Sequence, residues 1–218
     1  MKLSNRLKSI CKYIDKVDVV ADIGCDHALL DIYLIKNKYL DKIYACDINK
    51  NALDSGIKNI KKYHLEKEVI PVLCDGIEAI DSEVNTLIIS GMGSSTIIKI
   101  LSSDRIKQID KLVIQSNNDY YLLRKYLSKN NFYIKDEEFI EDNNKYYVNI
   151  VFIRGDKVYS DNELKYGPVL IRKDVKYFNY LLNKQMYILS EIPKGKIRLR
   201  FKVYREIFKI KRIIKKQR

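Results

Sequence analysis

The sequence predicts an α/β fold: a mostly parallel sheet with helices on both faces, closed by an antiparallel hairpin and followed by a helical appendage. Three observations lead there. Short apolar runs alternate five times with longer amphipathic stretches between Val17 and Lys129, the order of elements that right-handed βα units impose on a parallel sheet. The next two runs, Phe132 to Phe139 and Tyr146 to Ile153, are separated only by a turn-like EDNNK and read as a hairpin. Beyond Gly155 strand signals stop, and apolar residues recur at helical steps.

The elements follow in order. Ser4 to Tyr13 places Leu7, Ile10, Cys11 and Ile14 on one helical face, with Arg6, Lys8 and Lys12 on the other. The first strand takes Val17, Val19 and Val20 and stops at Asp22 and Gly24, and a helix follows from about Ala28 to Lys38. A second strand, Lys42 to Cys46, ends at Asp47; Asn49 then caps a helix running to about Tyr63. A third, Val69 to Leu73, ends at Cys74, Asp75 and Gly76. A fourth, Thr86 to Ile89, ends at SGMGSS, with a helix from about Ser95. A fifth, Lys111 to Ile114, ends at QSNN, with a helix from Asp119 to Lys129.

After the polar connection DKVYSDNELKYGP, Pro168 suits the first turn of a helix. Ile171, Val175, Phe178, Leu182 and Leu189 form one apolar seam; EIPKG breaks it; Val203, Ile207, Ile210 and Ile214 form a second. Exposing both seams to water is costly, so they predict an antiparallel, coiled-coil-like helical hairpin. The expected division is residues 1–158 for the sheet domain and 159–218 for the hairpin.

Composition narrows the class. With 218 residues, 46% hydrophobic and 32% charged, the chain can bury a core and is not disordered. Cys11, Cys25, Cys46 and Cys74 lie far apart with only two histidines in the chain, so neither a zinc site nor a disulfide framework is expected, and free thiols suit a reducing compartment. The N-terminal MKLSNRLKSI lacks an apolar leader core, and no run approaches a membrane span. A cytoplasmic monomer without a metal is the expectation. The charge is unevenly placed: Lys194 to Arg218 holds twelve Lys or Arg against one acid, Glu206, so +11 of the formal +13 sits there. Localised charge of this kind is a footprint for a polyanion, or else a solvated lysine-rich helix.

The strand ends carry the chemistry. In an open α/β sheet the crevice beyond the carboxyl ends of the strands holds a nucleotide-like ligand. Asp22, Asp47 and Asp75 stand at three successive strand ends. Asp47, at the end of the second strand, suits two ribose hydroxyls, or else caps the helix that follows. Asp75 beside Gly76 suits an exocyclic adenine amine, or simply forms the turn. Asp22 answers an ammonium, or orders the loop. A phosphate-binding loop wants several glycines and no competing anions, whereas this one has Gly24 alone between Asp22 and Asp26. That pattern favours a ligand with no phosphate and a positive end, as in S-adenosylmethionine, over NAD. Five βα units closed by an antiparallel hairpin are also the element order of the Rossmann-like class I methyltransferase sheet.

Four pieces then carry a family resemblance: LSNRL near the N-terminus, ADIGCDHA at the first strand end, SGMG after the fourth strand and QSN after the fifth. With them the chain resembles the bacterial tRNA (adenine(22)-N(1))-methyltransferases, over the sheet domain and, in outline, the tail. The resemblance implies S-adenosylmethionine as cofactor, N1 of a tRNA adenine as acceptor, and a C-terminal helical hairpin that assists tRNA binding. Carried over by position, Gly24, Cys25, Asp26 and His27 fall in the cofactor loop, Asp47 and Ile48 at the ribose, Asp75 and Gly76 near the adenine, and Ser90, Gly91 and Met92 beside the cofactor and target base. Three positions depart from the family pattern: Leu29 for an aromatic, Ser94 for a second glycine and Ser116 for a proline.

Adenine N1 has a lone pair and needs no deprotonation, so the protein's task is alignment for in-line transfer. The product base is a cation, and Asp26 and Asn117 are the candidates for stabilising it, unless they merely cap the helices that follow. A paired target must first be extruded. Arg6, Lys8, Lys196, Arg198, Arg200, Lys202 and Arg205 are the expected RNA contacts. Two other classes stay open: a methyltransferase of this fold acting on a small molecule or a protein, and a non-catalytic RNA-binding protein with a vestigial crevice.

Overall fold

The computed structural model describes residues 3–217. Ser4 caps the first helix, α1 (Asn5–Cys11), by accepting a hydrogen bond from the Leu7 amide. Three strands, β1 (Val20–Ile23), β2 (Ile43–Asp47) and β5 (Lys111–Ser116), are buried along their whole length. Covered on both faces, they read as continuous apolar runs rather than alternating ones. β3 (Val69–Leu73) lies at the sheet edge and shows alternation. β4 (Thr86–Met92), β6 (Phe132–Asp142) and β7 (Lys145–Arg154) complete a seven-stranded sheet in the order β3-β2-β1-β4-β5-β7-β6. The first five strands are parallel; β7 is antiparallel to both β5 and β6.

The first strand starts later than its valines suggest. Val17 is 83% exposed, and regular pairing begins at Val20. The preceding turn is instead held by charge: the ammonium of Lys111, nearly buried at the start of β5, lies 3.0 Å from Asp15 and 2.5 Å from Asp18. The β6–β7 turn is Asn143-Asn144, both at positive φ (50° and 58°). Two left-handed residues give the turn whose twist matches a tight hairpin, and asparagine tolerates that geometry.

Because side chains alternate across each strand, the sheet separates two cores. Val20, Ile43, Ala45, Ile88 and Val113 pack beneath α1, α2 (Leu29–Lys36) and α3 (Lys50–Lys62). Ala21, Ile23, Cys46, Leu87, Ile89 and Ile114 face α4 (Ser94–Ile100) and α5 (Tyr120–Ser128). Asn49 caps α3, its side chain accepting from the amides of Asn51 and Ala52.

Four helices follow the sheet: α6 (Asp161–Tyr166), opened by a Ser160/Glu163 capping box, α7 (Leu170–Lys173), α8 (Val175–Glu191) and α9 (Ile197–Gln217). Pro168 precedes α7, and Asp174 starts a new helix by accepting from the Tyr177 amide. α8 and α9 pack as an antiparallel pair. At the base, Tyr166, Leu170, Phe178, Ile210 and Ile214 belong to the same apolar cluster as the α4/α5 face of the sheet. Farther out, Ile192, Val203 and Ile207 form a small cluster of their own. Arg218, the last cation of the basic segment, lies outside the described residues. Among those residues no helix is long and apolar enough to cross a membrane.

A buried ion pair ties the two parts together. A bulge at Lys135, where β6 slips against β7, turns Glu137 toward the helices instead of outward. There its carboxylate accepts from Arg124 of α5 at 2.7 Å and from the amides of Val169 and Leu170 at 2.9 and 3.4 Å. Arg124 also donates to the carbonyls of Leu164 and Lys165. Gly167 is required beside them: at φ 90°, a Cβ there would stand 2.5 Å from a Glu137 oxygen. Neither charged side chain is exposed at all, and removing one partner strands the other in a low-dielectric interior. Arg124→Ala is therefore expected to lower unfolding free energy by about 3–5 kcal/mol, measured by urea denaturation, with loss of helical signal from the C-terminal segment at lower denaturant than in the parent.

Candidate active site

The strand order reverses between β1 and β4, so the loops after these two strands leave toward opposite sides and open a crevice. Two adjoining hollows fill it, of about 510 and 420 Å³. Both are lined by Gly24, Asp47 and Met92. The join is narrow: Gly24 sits at φ 79°, and a Cβ there would be 2.2 Å from the Met92 methyl. Glycine is needed at this position for its backbone at positive φ, while a Cβ would displace the end of the Met92 side chain.

The larger hollow lies over β2 and β3. Asp47, Ile48, Asp75, Gly76 and Ile77 line one side; Met92, Thr96, Lys99 and Ile100 line the other. Asp47 is held in place by the backbone, one carboxylate oxygen accepting from the Asp26 amide at 3.0 Å and the other from the Asn49 amide at 2.8 Å. Since Asn49 is the helix cap, Asp47 keeps its remaining lone pairs toward the hollow. Asp75 is exposed at the mouth, and Ile48 presents an exposed apolar side chain at the rim.

The smaller hollow brings together Asp22, Cys25, Asp26, His27, Ser90, Gly91 and Met92 with Arg6 of α1. Asp26 stands at positive φ and does not cap α2; Ala28 occupies that position without a side-chain bond. The Asp26 carboxylate is exposed, with Nε2 of the His27 ring 3.7 Å away. Cys25 is buried, and burial with four nearby carboxylates pushes its thiol well up, so it is an inert wall. Asn117 is exposed, but its amide is engaged: it donates to the Gly91 carbonyl at 2.6 Å and accepts from Gln115. The cap of α5 is Asp119. Asn117 thus braces the Gly91 bulge of β4.

Asp22 is the carboxylate lining the crevice whose titration is most perturbed. It is 4% exposed and one of its oxygens has no hydrogen-bond partner. Burial, with Asp47 nearby, raises its pKa to about 7. Beneath it lies a group no motif announced, Asp31 of α2, fully buried with both oxygens unpartnered. Burial, and then Asp22, push the Asp31 carboxyl well above the usual carboxylate range.

Three further contacts escaped the sequence reading. Arg6 donates to buried Gln115 and lies 5.4 Å from the centre of the Tyr147 ring, which places its guanidinium over Gly91. Ser94 and Ser116, two of the departures from the family pattern, face each other with their hydroxyls 2.9 Å apart. The Asn118 side chain accepts from the Ser94 amide. On the tail, Lys196, Arg198, Lys202 and Arg205 are exposed, as is Lys8 on α1. Arg200 is turned inward, donating to the carbonyls of Leu189 and Ile192 at 3.1 and 2.7 Å, and so closes the end of α8 rather than reaching outward. Among the described residues no group of three or more His, Cys, Asp or Glu is placed to hold a metal ion.

Two outcomes are expected for S-adenosylmethionine, the ligand the sequence points to. Gly24→Ala should close the join and weaken binding at least tenfold in calorimetry, with partial recovery when combined with Met92→Ala. An ammonium favours ionised Asp22, so binding releases a proton from a group at about 7. Affinity should therefore rise as pH goes from 6 to 8, by about tenfold, and Asp22→Asn should flatten the profile.

Comparison with known proteins agrees with this geometry. The family model of the methyltransferase domain matches residues 3–150. A tRNA (adenine(22)-N(1))-methyltransferase of Bacillus subtilis is 31% identical over 135 residues, 61% of this chain but only 57% of that protein's length. The structure of M. capricolum TrmK, in complex with S-adenosyl-homocysteine, is 31% identical, covers 100% of both chains and superposes with a TM-score of 0.85. A protein of the NADB-Rossmann superfamily from Streptococcus agalactiae is 30% identical over 98% of both chains, with a TM-score of 0.87. With its domain model, its two-lobed crevice and a full-length structural counterpart in accord, the chain belongs to the methyltransferase superfamily and, within it, to the tRNA (adenine(22)-N(1))-methyltransferase family.

Proposed function

We propose that this protein methylates N1 of an adenine in tRNA, position 22 by family, using S-adenosylmethionine, and that it works as a cytoplasmic monomer. The observation that carries the reading is the continuous crevice with an acid at each end and one in the middle: Asp75, Asp47 and Asp22. The residues fit the cofactor. A buried oxygen of Asp22 lacks a partner, a Cβ at Gly24 would push Met92 into the crevice lining, and no phosphate-binding glycine cradle is present in the loop. Bound there, S-adenosylmethionine supplies an already activated methyl group on a sulfonium.

The protein's own residues select, orient and shield. Asp47, fixed by two amides, accepts from ribose hydroxyls; Asp75 accepts from the adenine amine; Asp22 answers the ammonium. Gly91 and Met92 form the wall between the cofactor and the acceptor base. Asp26 is the free carboxylate beside that wall, suited to the cation that develops on the base or to its exocyclic amine. Asn117 acts through Gly91, holding the bulge rather than touching the base. Arg6, set over Gly91 with its second anchor on Gln115, suits a phosphate next to the extruded nucleotide. The exposed cations of α9 suit the rest of the tRNA backbone.

The test is methyl transfer from labelled S-adenosylmethionine to unmodified tRNA, with the product nucleosides separated. N1-methyladenosine is expected, falling at least a hundredfold in rate for Asp26→Ala with cofactor affinity changed less than threefold. Label in another nucleoside, or in a protein or small molecule in the absence of RNA, would sink the assignment of the acceptor.

A further inference from the structure

α9 has two apolar faces, and only one is covered. Val203, Ile207, Ile210 and Ile214 are buried against α8 and the base of the hairpin. Ile197, Phe201, Tyr204 and Phe208 recur at steps of four, three and four, yet they are 74%, 61%, 51% and 69% exposed. At about 100° per residue they form one stripe roughly 120° round the helix from the buried seam. The stripe runs about 16 Å at 1.5 Å per residue, close to five base-stacking steps of about 3.4 Å. Arg198, Lys202, Arg205 and Lys209 flank it, and an open trough of about 630 Å³ lies between Tyr204, Phe208 and the cations Arg205, Lys209 and Arg212.

Helix amphipathicity does not call for this second face. A solvated helix face carries polar residues, and three aromatic rings in a row are costly to leave in water. The surrounding charge selects the occupant. A second copy of the chain would bring the same cations against these, whereas a polyanion neutralises them. A regular duplex offers phosphates but keeps its bases stacked inside, so the rings would stay idle. Unstacked bases on a charged strand use both features.

We propose that the Ile197–Phe208 stripe of α9 is a stacking platform for unpaired bases of the RNA substrate, a loop rather than a helical stem. The proposal rests on the reading that the hairpin binds tRNA and adds a contact that is not electrostatic. The rings carry affinity through base faces, and the flanking Lys and Arg carry it through phosphates. The two contributions separate by salt.

The experiment uses the full chain and an unmodified tRNA transcript, with binding measured from 50 to 300 mM salt. Phe201→Ala with Phe208→Ala should cut affinity at least tenfold, since bases stacked on aromatic rings contribute a large share of single-strand binding. The slope of log affinity against log salt should not change. The pair of leucine substitutions at the same positions should lose as much, because leucine keeps the apolar surface and lacks the ring face; the pair of tryptophan substitutions should retain affinity. Both Phe positions are exposed on a helix, so melting followed by circular dichroism should match the parent. Lys202→Ala with Arg205→Ala should weaken binding and lower the salt slope by about two. Unchanged affinity in the alanine pair, or full affinity in the leucine pair, would overturn the platform while a reduced slope in the charge variant left the RNA-binding reading standing. No effect of either variant would end both. Self-association of the parent that disappears in the alanine pair, with tRNA affinity intact, would assign the stripe to a second copy of the chain and also overturn the proposal.

Discussion

The reversal of strand order beside β1 is the constraint on which the remaining architecture rests. β1 is paired in parallel on both sides, to β2 and to β4, so its carboxyl end has no free direction except outward. Right-handed crossovers carry the chain from β1 to β2 and β3, then back across to β4. The loops after β1 and β4 must diverge, and the space they leave is the crevice. Parallel register then aligns the strand ends: Ile23 lies beside Cys46, and Asp47 beside Leu73. The acids that follow each strand are therefore neighbours along one row, although 25 or more residues separate them in the chain.

Two kinds of buried ionisable group lie at two ends of the molecule. Arg124 and Glu137 are fully enclosed and paired, and their remaining contacts are backbone groups of the segment that leads into α7. That pair specifies how the helical tail joins the sheet, which apolar packing at the base alone would leave less defined. Asp22 and Asp31 are enclosed and unpaired, with three orphaned oxygens between them. Native interiors rarely leave polar atoms so, and of these two residues Asp22 lines the crevice.

The tail is likewise divided. Its base is continuous with the sheet core, its outer part has a separate small cluster, and its outward faces carry most of the molecule's excess charge. The inward turn of Arg200 shows that a basic helix is not uniformly a contact surface. One of its cations closes the end of the partner helix, and others remain outside.

Much of this was determined locally and so was readable from the residues. β-branched runs bounded by acids and glycines place the strands within a few positions, Asn49 announces its helix, Asn143-Asn144 announces the hairpin, and steps of three and four mark both seams of the tail. These signals depend on neighbours in sequence. The tertiary structure decided what depends on distant partners. Val17 is as apolar as Val20, yet it lies outside the sheet because Lys111 draws in Asp15 and Asp18. Asp31 looks like an ordinary polar residue of a helix until β1 is laid against it. Ser94 and Ser116 are departures from a pattern when read singly and a hydrogen-bonded pair when brought together. Arg200 and Arg205 are equivalent in sequence, and only the packing of α9 on α8 turns the first inward. Periodicity reports which face a side chain occupies; which group it meets there is set by pairing across the sheet, where sequence separation carries no information.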